Sequence, residues 1–338
     1  MGLNVGGEFK PFFKLTTPDG DITNKIAHAL QSFILTETVD EESDRLTIII
    51  ARPENLAVPK LGQQLELSLG FQNYQVLKGV FVVSNVSLNG NPGEIGITAY
   101  STPFNDQKQA VALQSQKTRA FDKKTLGDII KTVAADNKLD AKIDEKFIAQ
   151  QLDHIIQMDE SDLNFCNRMA LKYGSGFKIA NDSLLFKENY TGKTASGVNV
   201  PPIQFIPSML ASWSATFGSR YTAKTIKAKY HDKEAGITQT FQLGSGEPVI
   251  SLPFTYASEA EATFAAESRR KESVTADDSI DLTLPVIINV LALNAGGKMI
   301  LTDFDPVVDG AWYAKTLEYS YSSAGFTLHI NGVNELVN

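Results

Sequence analysis

The chain of 338 residues has a single cysteine, Cys166, so it can form no internal disulfide and no multi-cysteine zinc site. Its four histidines, His28, His154, His231 and His329, stand far apart, which leaves few metal ligands and few general bases. The longest apolar run, around 284–293, is broken by Pro285 and Asn289 and is too short to cross a bilayer. The start, Met1-Gly2-Leu3-Asn4-Val5-Gly6-Gly7, lacks the basic residues and apolar core of a signal peptide. A chain with no membrane anchor, made in a reducing cytoplasm, is expected. Positive charge is also short: 31 Lys and Arg stand against 39 Asp and Glu, a formal charge of −8. Such a surface repels phosphates and excludes a nonspecific grip on nucleic acid. There is no Gly-x-Ser-x-Gly elbow, phosphate-binding loop or His-Glu-x-x-His.

What is present is the composition of a folded protein, 43% hydrophobic and 21% charged, long enough for two or three domains. Leu46, Ile48 and Ile50 alternate with Thr47, Ile49 and Ala51, Leu65, Leu67 and Leu69 with Glu66, Ser68 and Gly70, and Ile95, Ile97 and Ala99 with Gly96, Thr98 and Tyr100. Val80, Val82, Ser84, Val86 and Leu88 share one parity, and Asn89-Gly90-Asn91-Pro92-Gly93 is a dense turn. These patterns predict antiparallel strands in a sandwich or barrel.

The middle of the chain changes period. Thr125 and Asp128 form a cap ahead of Leu126, Ile129, Ile130 and Val133 on one helical face. A second helix opens at 159–162, presents Leu163, Cys166, Met169, Ala170 and Tyr173, and stops at Gly174. A hairpin is expected at 177–187. From 203 the pattern is β again, with Ile226, Ala228 and Tyr230, then Ile237, Gln239, Phe241 and Leu243, then Ile280, Leu282 and Leu284. A capped helix starts at Ser258, and a last hairpin pairs 313–321 with 326–330. The expected organisation is a first tube-like β-barrel at 1–102, an α/β insert at 103–190, a linker at 191–202 and a second tube-like β-barrel at 203–338. The fold class is thus mainly β, with two antiparallel barrels flanking a small helical α/β domain.

The two β regions repeat. The segment from Gly62 to Leu67 parallels Gly297 to Thr302, and the segment from Gly79 to Val86 parallels Gly310 to Leu317. Each is followed by a turn and a closing strand, which indicates a duplicated unit. Three such chains could close a ring of six similar units.

No catalytic constellation is expected. Asp153-His154 and His231-Asp232 are neighbours in sequence, and neighbours on a strand face opposite ways. His28 and His329 read as surface residues, and Cys166 as a buried structural thiol. Gly244-Ser245-Gly246 reads as a loop, and Asp277-Asp278-Ser279 lacks the alternating ligands of a calcium loop. Arg269-Arg270-Lys271 reads as a basic helix end. Lys227 and Lys229 share one strand face, which either meets an acidic partner or is simply solvated. Tyr313, Leu317, Tyr319 and Tyr321 share one parity and read as core.

Gln157, Glu160-Ser161-Asp162, Phe165, Arg168 and Tyr173-Gly174 together resemble the phage late control protein D family, the baseplate hubs of contractile tails. Thr125 to Ile130, Asn137-Lys138-Leu139, Thr194 to Gly197, Pro201-Pro202, Asp19 to Thr23, Asp309 to Tyr313 and Gly325-Phe326-Thr327 also fit that family, so the resemblance spans nearly the whole chain. Cys166 departs from it, standing where an aliphatic residue is expected. The resemblance implies the architecture of the hub half of type VI secretion spike proteins, with the spike on a separate polypeptide. It implies a homotrimer in a contractile particle assembled in the bacterial cytoplasm, bound to a trimeric spike, to a tail-tube or tube-initiator protein, and to baseplate and tape-measure proteins. DNA would be passing cargo only, and neither cofactor nor metal is expected. The rival readings are a tail-associated cell-wall hydrolase and a host-surface-binding tail-tip protein.

Overall fold

A computed structural model describes residues 10–39, 43–52, 57–101, 113–180, 183–192, 199–218, 224–275 and 278–334. The first β region contains β1 (Pro11–Thr17), β2 (Gly20–Asp21), α1 (Thr23–Ala27), β3 (Leu30–Thr38), β4 (Arg45–Ala51), β5 (Gln64–Phe71), β6 (Tyr74–Asn89) and β7 (Glu94–Tyr100). The alternating residues of β4, β5 and β7 named above are all buried in one core. β6 departs from its reading. Phe81 and Val83, not Val80 and Ser84, are the core residues of its first half. A bulge between Val83 and Asn85 then reverses the parity and turns Val86 against the core.

The middle region contains β8 (Gln116–Thr125), α2 (Leu126–Asp136), β9 (Asp140–Ile143), α3 (Glu145–Ile148), β10 (Gln151–Ser161), α4 (Asp162–Tyr173), β11 (Gly176–Ala180) and β12 (Ser183–Lys187). Thr125 caps α2 by accepting from the Asp128 N–H at 3.0 Å, and Ser161 caps α4 by accepting from Asn164 at 3.2 Å. Gly174 ends α4 at φ 64°, and a Cβ there would meet Ser268 Oγ at 1.9 Å, so only glycine fits. The apolar faces of α2 and α4 share a core with Phe147, Phe177 and Phe186. β11 and β12 form the expected hairpin, whose turn lies outside the described residues, and β9 adds in parallel. The β8–β10 ribbon was not foreseen.

The remaining elements are β13 (Ile203–Phe205), β14 (Ser212–Thr216), β15 (Thr225–Asp232), β16 (Ile237–Gly244), β17 (Val249–Tyr256), α5 (Glu259–Thr275), β18 (Ser279–Pro285), β19 (Lys298–Leu301), β20 (Gly310–Ser322) and β21 (Gly325–Asn334). The strands at 225–256, expected in the second barrel, instead make a separate three-stranded sheet around β15, with a small core of Ile226, Ala228 and Tyr230 beneath Ala262, Ala265 and Ala266 of α5. α5 runs on to Thr275, so the basic cluster at 269–271 lies within the helix rather than at its end.

The other strands at both ends of the chain belong to one 13-stranded sheet, in the order β14-β18-β21-β20-β3-β4-β7-β6-β5-β1-β2, with β13 and β19 branching from β20. The path does not close into a barrel among the described residues. Within it one sequence of neighbours occurs twice: β5-β6-β7-β4-β3 and β19-β20-β21-β18-β14. The repetition is residue-specific. The Gly62 N–H donates to Val83 O at 2.8 Å, and the Gly296 N–H donates to Ala314 O at 2.7 Å. Gly62 and Gly296 share a left-handed φ of 82° and 83°. Gly62 is therefore matched by Gly296, one residue before the Gly297 of the sequence comparison. Gly79 does match Gly310, and Leu46, Ile48 and Ile50 match Ile280, Leu282 and Leu284 through equivalent pairings with β7 and β21. One strand breaks the likeness: β1 runs antiparallel to β5, while β13 runs parallel to β19.

Because both repeats share one core, Leu328→Ala on β21 should cost about 3 kcal/mol through the cavity it leaves. Amide exchange should speed up in β4 of the first repeat as well as in β21. Protection lost in β21 alone would show that the repeats unfold separately.

Candidate assembly interface

The repeats meet where β20 pairs antiparallel with β3, from Thr316↔Thr38 to Ser322↔Ser32. Phe33 stacks on Tyr321 at 5.2 Å, and Phe13 meets both rings edge-on at 5.5 Å. Beside them lies a buried polar contact. Lys78 Nζ is 3.2 Å from Glu37 Oε1 and donates to Tyr319 OH at 3.0 Å and to Leu293 O at 3.3 Å. Burial pushes the Glu37 carboxyl above its ordinary value. Burial alone would lower Lys78, but the Glu37 charge and the Tyr319 hydroxyl outweigh it and hold the ammonium above its ordinary value. Tyr319 is itself pushed up to about 12 by burial.

Sequence reasoning missed Glu37 and Lys78. A signal existed: Glu37 follows Phe33 and Leu35 at the same parity, so a carboxylate sits on a core face. These residues border a cleft of about 580 Å³ where both repeats and the middle region meet. Lys178 of β11 bridges the cleft to Asp44 and donates to Thr38 O at 3.1 Å.

Two of the open strand edges in the large sheet carry exposed apolar side chains. Among the described residues β14 pairs only with β18, and the second half of β6, beyond Val83, pairs only with β7. Leu88 on β6 is 50% exposed, and Trp213 and Phe217 on and beside β14 are 41% and 44% exposed. Large apolar side chains on an unpaired edge mark a surface built for another strand.

The family-like motif has a structural role. Asp162, with no solvent contact, accepts from Arg119 Nη2 at 2.7 Å, Asn137 Nδ2 at 2.7 Å and Gln157 Nε2 at 2.9 Å, and pairs with Lys117. Arg168 grips Glu160 at 2.8 Å and Ile156 O at 3.0 Å, and the Tyr173 hydroxyl donates to Glu261 of α5 at 3.3 Å. These contacts tie the β8–β10 ribbon to α2 and α4, and α4 to α5.

The potential catalytic groups are not brought together. His154 pairs with Asp122, Asp153 with Lys233, and His329 with Thr283 and Asp281. His28 and His231 are exposed, and Asp232 shapes its own turn by accepting from the Glu234 and Ala235 N–H groups. Cys166 is buried, and burial pushes its thiol far up. Lys227 and Lys229 do share the outer face of β15. Thr225 Oγ1 donates to Gly246 O within the Gly244-Ser245-Gly246 loop. Asp278 accepts from Gly218 and Asn334, and Asp277 lies outside the described residues. No cluster fit to hold a metal occurs among the described residues, and no helix there is long and apolar enough to cross a membrane.

The fold is thus a doubled β scaffold joined edge to edge within one sheet, with apolar side chains exposed on strand edges. The phage tail baseplate hub family (GPD) matches residues 59–325, and the chain belongs to that family. It is 26% identical to the probable baseplate hub protein of Escherichia phage 186, over 97% of this chain and 94% of that protein. Its fold is similar to that of a tail protein from Neisseria meningitidis MC58, with a TM-score of 0.70 at 11% identity and 97% of both chains covered. It also resembles the E. coli c3393 protein, a component of the type VI secretion system, with a TM-score of 0.56 at 12% identity, covering 91% of this chain and 74% of that one.

Burial alone would raise the Asp162 carboxyl, but the donors from Lys117, Asn137 and Gln157 outweigh it and hold its pKa below 3.8. A lowered folded-state pKa gives stability that is complete above the unfolded value and is lost as pH falls through the folded one. Asp162→Asn should therefore cost about 3 kcal/mol near neutral pH, the low end for a broken buried pair because Lys117 and Arg119 stay partly hydrated. Denaturant melts at falling pH should show the parent losing stability below 3.8 and the variant losing less. Parallel pH profiles would show that Asp162 carries no such charge-dependent stability.

Proposed function

We propose that three copies of this chain form the hub ring of a contractile tail, joining the tail tube above to a membrane-piercing trimeric spike below. The observation that carries this reading is the repeat, matched over a path of five strands and joined within the chain through β20 and β3. Each repeat serves as one tube-like barrel unit. Three chains then supply six similar units to the tube while keeping threefold symmetry for the spike. The middle region and the satellite sheet interrupt the repeated plan, and they supply surfaces for baseplate, tape-measure and tube-initiator proteins. DNA passes as cargo, and a chain of charge −8 does not hold it. The particle is a phage, a headless bacteriocin or another injection machine, assembled in the bacterial cytoplasm.

Light scattering of the chain mixed with its spike partner should give a mass that contains three copies. A stable monomer in that mixture would overturn the ring.

The enzyme reading is tested separately. Replacing His28, His154, His231 and His329 singly by Gln should leave particle killing or infection near the parent level. Leu328→Asp, which buries an unpaired carboxylate between Phe326 and Ile330, should abolish assembly. Intact particles without activity in any histidine variant would point to chemistry instead.

A further inference from the structure

We infer that the second half of β6 pairs antiparallel with β14 of the next copy, in the register that sets Leu88 opposite the partner's Ala215. This rests on the ring reading above and names the contact that closes it. The intrachain joint is the template. β6 and β20 occupy equivalent places, and each is bulged against its partner β7 or β21, at Ser84 and at Lys315, which equates Val86 with Leu317 and Leu88 with Tyr319. β14 and β3 are likewise equivalent: both pair with the matched strands β18 and β4, which equates Trp213 with Phe33, Ala215 with Leu35 and Phe217 with Glu37. Within the chain Tyr319 faces Leu35 and Leu317 faces Glu37. Repeating that register between copies sets Leu88 against the partner's Ala215 and Val86 against the partner's Phe217.

Three independent features support these two edges as partners. The first is hydrogen bonding. The Val286 N–H donates to Phe326 O at 3.0 Å, so alternation along β18 aims Leu284, Leu282 and Ile280 at β21 and Thr283, Asp281 and Ser279 at Ser212, Ser214 and Thr216 of β14, which turns the N–H and C=O groups of Trp213 and Ala215 away from β18. The same alternation against β7 leaves those of Val86 and Leu88 unused.

The second is exposure. Tyr319, Phe33 and Glu37 are buried at the internal joint, whereas their counterparts Leu88, Trp213 and Phe217 are 50%, 41% and 44% exposed. The third is the absence of protection. Neither Ser84-Asn85-Val86-Ser87-Leu88-Asn89 nor Ser212-Trp213-Ser214-Ala215-Thr216-Phe217 contains a charge or a proline, the usual guards of an edge meant to stay unpaired. The partner at each edge is a second copy because the two edges complement each other as β20 and β3 do. The new joint is apolar: Leu88 and Phe217 stand where the internal joint has Tyr319 and Glu37 of the buried polar contact.

The test is disulfide trapping in the full-length chain. Ser87 and the partner's Thr216 form a non-hydrogen-bonded pair in this register, the equivalent of Glu318 and Thr36, and both are exposed. Cys166 is buried and does not compete. The Ser87→Cys/Thr216→Cys chain, oxidised mildly at high concentration with and without the spike partner, should give covalent oligomers that end at a closed trimer. An equal mixture of the two single variants should stop at dimers. The Ser87→Cys/Ser212→Cys chain should cross-link about tenfold less, because the displaced cysteine lies about 13 Å along the strand, beyond disulfide reach. A trimeric mass without trapping at 87 and 216, or equal trapping at 87 and 212, overturns the register and leaves the hub reading standing. Neither trimer nor trapping overturns both.

Discussion

The structure depends on one backbone pairing, β20 with β3. Without it the chain would be two small β units tied by a long middle region. With it, one sheet and one core run through both repeats. β20 can do this because it is long and bulged. Its first part pairs with β19, its second with β3, and β21 lines its other edge throughout. The bulge at Lys315 re-aims the strand between these tasks. β6 carries the equivalent bulge at Ser84, but among the described residues its second half pairs only with β7.

The polar contact at the joint fits that role. A buried ion pair adds little net stability over an apolar replacement of the same shape, yet it is costly to leave half-made. Lys78 comes from the first repeat and Tyr319 from the second, with Glu37 on the pairing strand itself. A slip of β20 by one residue would turn Tyr319 out and strand a buried lysine. The contact thus penalises wrong registers more than it rewards the right one. The aromatic cluster of Phe13, Phe33 and Tyr321 supplies the non-directional part of the same joint.

Much of this was legible in the sequence, for reasons that also explain the failures. Strands such as β4 and β7 bury one face, so alternation reports them directly. Thr125, Ser161 and Gly174 announce helix ends because orphan backbone groups need those side chains, or none at all. β6 misled because a bulge reverses parity without leaving a mark in composition. The β8–β10 ribbon was invisible because charged residues such as Lys117, Arg119 and Asp122 interrupt its apolar ones. The strands at 225–256 were seen as strands, but alternation says nothing about which sheet a strand joins. The β3–β20 pairing spans most of the chain, and only Glu37 on a core parity hinted at it.

The insertions obey the same constraint as the core. The middle region leaves the chain after β7, between the repeats, and the satellite sheet leaves between β14 and β18. The equivalent connection in the first repeat, from β3 to β4, is short. Neither excursion interrupts the five-strand path, so both could be added without disturbing the matched registers. They are also fastened to each other, since Tyr173 and Lys172 of α4 reach Glu261 of α5, and Phe264 packs against Phe147 and Tyr173. The chain therefore separates two demands. A repeated sheet meets the requirement for near-equivalent units, and the joined excursions make the two halves of each chain different. In the proposed hub ring, a sixfold tube on one side and a threefold spike on the other would call for both properties in one polypeptide.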